Sequence, residues 1–167
     1  MSGITLTPIG LIRTPYQKTE GMPIQPAGAA QTPGQVIVDA AFEEGLDDLD
    51  GFSHIILLYQ FHHANGYDLK VTPFLDTQRR GLFATRAPRR PNPIGLSVVA
   101  LTRREGNVLH VAGIDVLDGT PLLDIKPFVP AFDAPAVTAV GWMAGQLDRT
   151  ASTRADTRFQ QPSGHKD

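Results

Sequence analysis

Gly51-Phe52-Ser53-His54-Ile55-Ile56-Leu57-Leu58-Tyr59-Gln60-Phe61-His62-His63 carries the apolar run Ile55–Tyr59, closed at both ends by polar residues. The run is far shorter than the ~20 residues of a membrane-spanning helix and is rich in strand-forming side chains, so it reads as a buried β-strand. Period-two alternation then puts His54, Gln60 and His62 on one face with Phe52, Ile56 and Leu58, and Tyr59, Phe61 and His63 on the other. His62 and His63 are expected to point to opposite faces. That counts against a metal ion held by both rings, and no third ligand sits at a recognisable spacing, so no metal is expected. His54 reads as a buried, hydrogen-bonded structural histidine. His62 and His63, at the strand's end where clefts open, suit a ligand role or a structural one equally.

Outward from this strand, fourteen prolines and sixteen glycines cut the chain into short segments, several of them β-branched and apolar. Candidate strands are 4–12, 35–39, 54–61, 82–85, 96–103, 108–116 and 122–126, enough to close a barrel. Helical spacing is confined to 42–49 and to the stretch after Asp133, where Val137, Val140, Ala144 and Leu147 recur every three to four residues. The fold class expected is mainly β: a small single-sheet β-barrel with a few short helices. The barrel domain is expected over residues 1–148, followed by a polar C-terminal tail, 149–167, that is mobile or dependent on a partner. Gaps between strands lack amphipathic stretches long enough for crossover helices, and no glycine fingerprint of a dinucleotide fold occurs, so a nucleoside cofactor would need another cradle.

The 167 residues carry a net charge of −2 and no cysteine. Disulfide frameworks, cysteine-ligated zinc, iron–sulfur clusters and thiolate catalysis are excluded. The start, Met1 to Thr5, lacks a basic stretch followed by an apolar run, so a cytoplasmic protein without a membrane segment is expected.

Three segments carry chemistry. Phe83 to Ser97 holds Pro88, Pro91 and Pro93, which stiffen a loop bearing Arg86, Arg89, Arg90 and Asn92; with Arg79 and Arg80 this makes five guanidinium groups in twelve residues. On a slightly acidic chain it is the one evident patch for an anionic ligand or RNA, or else a solvated charged loop. Val111 to Pro127 places Asp115 and Asp124 in apolar strands, where each needs a cationic partner or a ligand, and Asp118-Gly119 in a turn. Gly21 to Gly28 is an extended run of prolines and small residues, either surface loop or backbone wall.

The segments Pro8–Tyr16, Gly45–Leu49, Phe52–His54, Phe83–Arg86, Arg90–Ser97, Asp118–Pro121 and Asp124–Pro127, in that order, resemble the YaeB-like or TsaA-like (TrmO) family of S-adenosylmethionine-dependent tRNA adenosine N6-methyltransferases. The resemblance implies a single-sheet barrel, a homodimer and a non-Rossmann S-adenosylmethionine site. Transferred by position, cofactor contacts fall on Pro26, Ala27, Gly28, His62, His63, Arg86, Leu96, Ala112, Gly113, Ile114 and Asp115. The implied substrate is N6-threonylcarbamoyladenosine beside the tRNA anticodon. Bacterial members carry a further small domain after the barrel, where this chain has its polar tail. Methyl transfer from a sulfonium requires alignment above all, plus a base for the acceptor's proton; Asp115 and His62 are the candidates. A binding module without turnover and a small-molecule methyltransferase are the alternatives.

Overall fold

Alternation along the central strand decides which side of the sheet is inside. In the computed structural model, which describes residues 3–160, Ile55, Leu57 and Tyr59 are sealed from solvent while Ile56 and Leu58 are half-buried. This strand, β3 (His54–Gln60), is one of six that close into an antiparallel barrel. The others are β1 (Gly10–Arg13), β2 (Pro33–Val38), β6 (Ile94–Glu105), β7 (Val108–Ala112) and β8 (Thr120–Pro127), while β4 (Lys70–Val71) and β5 (Arg80–Gly81) form a small separate pair. The order is β1-β2-β7-β6-β3-β8, and the seam back to β1 is sealed by Gly10↔Leu122 and Ile12↔Thr120. Closure leaves no open edge, and Ile12, Val36, Val38, Leu109, Val111, Ile114 and Leu122 fill the interior.

Register places three of the connections on one rim. Arg13 pairs with Gln35, Pro33 with Ala112, and Gln60 with Ile94. The segments 14–32, 61–93 and 113–119 therefore leave the barrel from the same end, whereas the other end carries the 39–53 connection between β2 and β3 and the Gly106–Asn107 turn between β6 and β7. The barrel is a platform, and the first of these rims carries its two longest loops.

Several local expectations are corrected. Residues 82–85 form a 3-10 turn, Leu82–Ala84, because the Thr85 hydroxyl donates to the Leu82 carbonyl and accepts from the Ala87 amide, which closes the backbone on itself. The helix expected after Asp133 is absent: α1 covers only Pro130–Asp133, and Gly141 and Gly145, at φ of 57° and 77°, break the next stretch of chain into turns. Val137, Val140 and Leu147 stay exposed. The stretch 42–49 overlaps a 3-10 segment, Ala40–Leu46. The first strand begins only at Gly10, and β7 ends at Ala112 because Gly113 takes φ of 90°. His54 is exposed, not buried; its ring accepts or donates at Ser53 Oγ (3.0 Å) and meets Phe128 edge-on. Beyond Arg149 the chain is polar as expected, yet over 149–160 it does not stand free but lies against the rim loops; residues 161–167 lie outside the described ones.

Candidate functional site

Ser97 is the odd residue on the inner face of β6: a hydroxyl at 1% exposure among apolar side chains. On the neighbouring strand, Tyr59 is 4% exposed and reaches it, with its hydroxyl 3.0 Å from Ser97 Oγ. Ser97 in turn donates to Asp115 Oδ1 at 2.6 Å. Since the serine proton is committed to the carboxylate, the tyrosine donates to the serine, and a directed chain Tyr59→Ser97→Asp115 runs from barrel interior to rim.

Asp115 hangs from the 113–119 loop, just past Gly113. Burial pushes its carboxyl up to about 6, while the Ser97 hydrogen bond, its own backbone amide and the Arg86 guanidinium pull the other way. Burial first, and the Asp115 charge second, hold Tyr59 far above the ordinary phenol range, so it stays a donor at any physiological pH. Arg86 is exposed and donates to Gln25 Oε1 at 3.0 Å, which joins loop 61–93 to loop 14–32. The amides of Gly113 and Ile114 both donate to the Thr32 carbonyl, at 2.9 and 3.4 Å, and bring the third loop to the second.

Pro26, Ala27 and Gly28 lie in a 3-10 turn, Pro26–Ala29. Beside it opens a groove of ≈ 560 Å³ walled by Pro15, Tyr16, Ala27, Gly28, Thr32 and Pro33. Its size falls in the range of nucleoside-scale ligand sites. Ala112 closes β7 opposite Pro33, and Ile114 is fully buried, so only its backbone can face a ligand. Leu96 is 47% exposed on the outer face of β6.

His62 and His63 depart from the expected divergence. The strand ends at Gln60 and the chain turns, with the Ala64 amide donating to the Phe61 carbonyl, so the two rings lie 4.1 Å apart at a tilt of 46°. Partial burial, then the neighbouring His63, lower the His62 pKa, which leaves it neutral at neutral pH. Among the described residues no group of three or more metal-ligating side chains occurs.

The arginines divide. Arg89 is 5% exposed, pairs with Asp68 at 3.4 Å and donates to the Asn65 carbonyl, so it is a brace inside the loop and faces no polyanion. Arg90 donates to the Thr85 and Ala87 carbonyls. Both turn inward for one reason: a long loop without ladder bonds leaves carbonyls that need donors. Arg80 is paired with Asp76 and stacked on Trp142, and exposed Arg79 donates to the Lys70 carbonyl. Asn92 is exposed at the loop's end. Asp124 pairs with Lys126, and Asp118 accepts from the Thr14 amide and Arg13 as a turn residue. Sequence reasoning does not single out Tyr59, Ser97 or Gln25 as site residues. For the first two the available signal is polarity at inward strand positions close to the strand ends that face the loops.

The loop-bearing rim of this six-stranded antiparallel barrel thus gathers a buried hydroxyl–carboxylate chain, a guanidinium and a small-residue turn beside a nucleoside-sized groove, with no Rossmann crossover. Residues 11–134 match the tRNA-methyltransferase O N-terminal domain, and the chain belongs to that TrmO family. It is 47% identical over 156 residues, 93% of this chain and 85% of the relative, to a Pyrococcus abyssi protein named "Probable S-adenosyl-L-methionine-binding protein". It is 38% identical over 136 residues to the rat tRNA (adenine(37)-N6)-methyltransferase, covering 77% of this chain and 31% of that enzyme. The crystal structure of TrmO from Pseudomonas aeruginosa superposes with a TM-score of 0.71 at 40% identity, over 84% of this chain and 63% of that one. The chain thus spans under two thirds of the solved relative.

Proposed function

We propose that this chain is an S-adenosylmethionine-dependent methyltransferase acting on N6 of an adenosine in tRNA, with N6-threonylcarbamoyladenosine beside the anticodon as its substrate. Support comes from the family, from the names of its relatives and, above all, from one geometric observation: a buried Tyr59→Ser97→Asp115 chain that ends at the loop-bearing rim in a carboxyl pushed up by burial to about 6. The residues present suit the cofactor. The groove beside Ala27 and Gly28 has the volume of a nucleoside site, and the exposed Arg86 guanidinium, held by Gln25, suits a carboxylate. S-Adenosylmethionine, when bound, supplies a sulfonium methyl group open to in-line displacement by nitrogen.

The protein's own part is positioning and proton removal. Asp115, ionised above about pH 6, would take the N6 proton while the methyl–sulfur bond breaks and its electron pair leaves with the thioether; Ser97 and Tyr59 fix the carboxylate's orientation from behind. His62, neutral at neutral pH, is the second candidate for that proton. Arg79 and Asn92 are the exposed groups left on the loop for RNA. A homodimer in the cytoplasm belongs to the same proposal, supported by Ile94 and Leu96, exposed side by side on the outer face of β6.

Incubation with labelled S-adenosylmethionine and tRNA tests this directly. Label is expected only in tRNA carrying the threonylcarbamoyl group, with kcat/KM falling steeply as salt rises, as phosphate contacts require. Cofactor binding without transfer to either tRNA would leave a binding module instead. Arg86→Ala is expected to weaken cofactor binding by roughly ten- to a hundredfold, the value of one charge-assisted contact. It also removes a cation that lowers the Asp115 carboxyl, so the acid limb of activity moves above pH 6. Calorimetry and a pH profile read the two effects separately.

A further inference from the structure

Residues 142–160 meet the rim loops at several polar contacts. Trp142 Nε1 donates to the Ala84 carbonyl at 2.8 Å, and the Arg80 guanidinium sits 5.7 Å from its ring centre. Ala155 exchanges two backbone hydrogen bonds with the loop 14–32: the Gly21 amide donates to its carbonyl and its amide donates to the Met22 carbonyl, both at 2.8 Å. Arg154 bridges Pro23 in strand fashion. Gly28 is so closely covered that a methyl group there would stand 3.2 Å from the Ala151 carbonyl oxygen and 3.4 Å from an Arg154 guanidinium nitrogen. Arg158 donates to the Pro73 carbonyl at 2.7 Å and lies over Phe74. Phe159 packs edge-on against Phe74 and covers the small core of Val71, Leu82 and Ala87, the last of which adjoins Arg86 in the chain.

We propose that residues 142–160 are a brace of the cofactor site: a polar strap, anchored by Phe159, that holds the Pro26–Gly28 turn and the Arg86 loop in their binding positions. The proposal rests on these loops forming the cofactor site. Its physical basis is that neither loop has ladder partners of its own beyond the two-residue pair β4–β5, so apart from internal ties such as Arg89–Asp68 each loop leans on what crosses it. The strap crosses both, and the Arg86–Gln25 hydrogen bond joins them only once they are in place. Phe159 is therefore a positioning residue. It touches none of the groups assigned to the reaction.

Full-length Phe159→Ala and Phe159→Leu decide the matter. Amide hydrogen exchange, read without ligand, is expected to show loss of protection in 21–29 and 71–87 for Phe159→Ala, with the barrel strands and the thermal midpoint unchanged. S-Adenosylmethionine affinity is expected to fall roughly tenfold, because only the fraction of molecules with ordered loops binds, while kcat at saturating cofactor stays close to wild type. Phe159→Leu, which keeps an apolar anchor, restores most of both. Unchanged exchange in the two loops overturns the brace. Tighter cofactor binding by Phe159→Ala overturns it as well, since the strap would then be an obstruction. If wild type itself ignores S-adenosylmethionine, the functional proposal falls, and the exchange arm still reports on the brace.

Discussion

Asp115→Asn is expected to reduce methyl transfer by about 10²- to 10⁴-fold, the usual contribution of a positioned base, and at the same time to stabilise the folded chain at neutral pH. The second effect comes from the carboxyl's position. Its pKa in the folded chain is about 6 against 3.8 unperturbed, with burial the principal cause. Between those values the folded chain keeps a proton that the unfolded chain has released, so stability falls as pH rises through this window and the loss is complete above about pH 6. A shift of about two units corresponds to about 3 kcal/mol at most, and the asparagine avoids it while its carbonyl still accepts from Ser97. Thermal melts should coincide for the two proteins near pH 4 and separate by on the order of 5 °C above pH 6. Wild-type kcat/KM should rise through an acid limb near pH 6 that the variant lacks. Equal melts at neutral pH would mean that the carboxyl is not strained by burial and is not tuned as a base. Stability given up at a reactive group is a common trade in enzymes, and this pair of measurements isolates it in one atom exchange.

The barrel was legible because its signal is local. Ile55, Leu57 and Tyr59 alternate with half-buried neighbours, and proline and glycine punctuate the segments between strands, so a mainly β chain with a single closed sheet can be read from period and punctuation. What could not be read locally is which distant residues meet. Ser97 and Asp115 lie eighteen residues apart, and only antiparallel register brings Tyr59 within reach of both. The arginine patch is ambiguous for the opposite reason. Five guanidiniums in close succession suggest an outward charge, but a long loop without ladder partners consumes donors, and Arg89 and Arg90 are spent on its carbonyls. The strap has no periodic signature, because Trp142 and Phe159 are too far apart to form a stripe and the chain between them is mostly polar. The apolar residues that did show helical spacing, Val137, Val140 and Leu147, are the exposed ones. Periodicity there was coincidence, overruled by Gly141 and Gly145.

Gly95→Ala is the substitution expected to damage fold and site together. Gly95 pairs with Tyr59 across β6 and β3, and the tyrosine ring lies over it in the space a side chain would fill. An added methyl would fall on the Tyr59 ring and 2.9 Å from Phe61 Cζ, far inside contact distance. The ring cannot retreat. It is 4% exposed, set edge-on against Phe61 at 5.5 Å, and tethered through its hydroxyl to Ser97. Relief must come from swinging Tyr59 out or from parting the strands, at a cost of about 1–3 kcal/mol for overpacking plus about 1 kcal/mol for the lost hydrogen bond. Either way Ser97 loses the donor behind it, and Asp115 loses part of its fixed orientation, so kcat should fall with the thermal midpoint. Tyr59→Phe separates the two effects, because it removes the hydroxyl without adding volume and should lower kcat with a smaller loss of stability. Combining Gly95→Ala with Tyr59→Leu frees the space, so the double variant should regain part of the stability and none of the activity, a coupling that additive effects could not produce. A Gly95→Ala protein that melts and turns over like wild type would show that the ring is not held where the hydroxyl chain needs it, and Tyr59 would lose its place in the site.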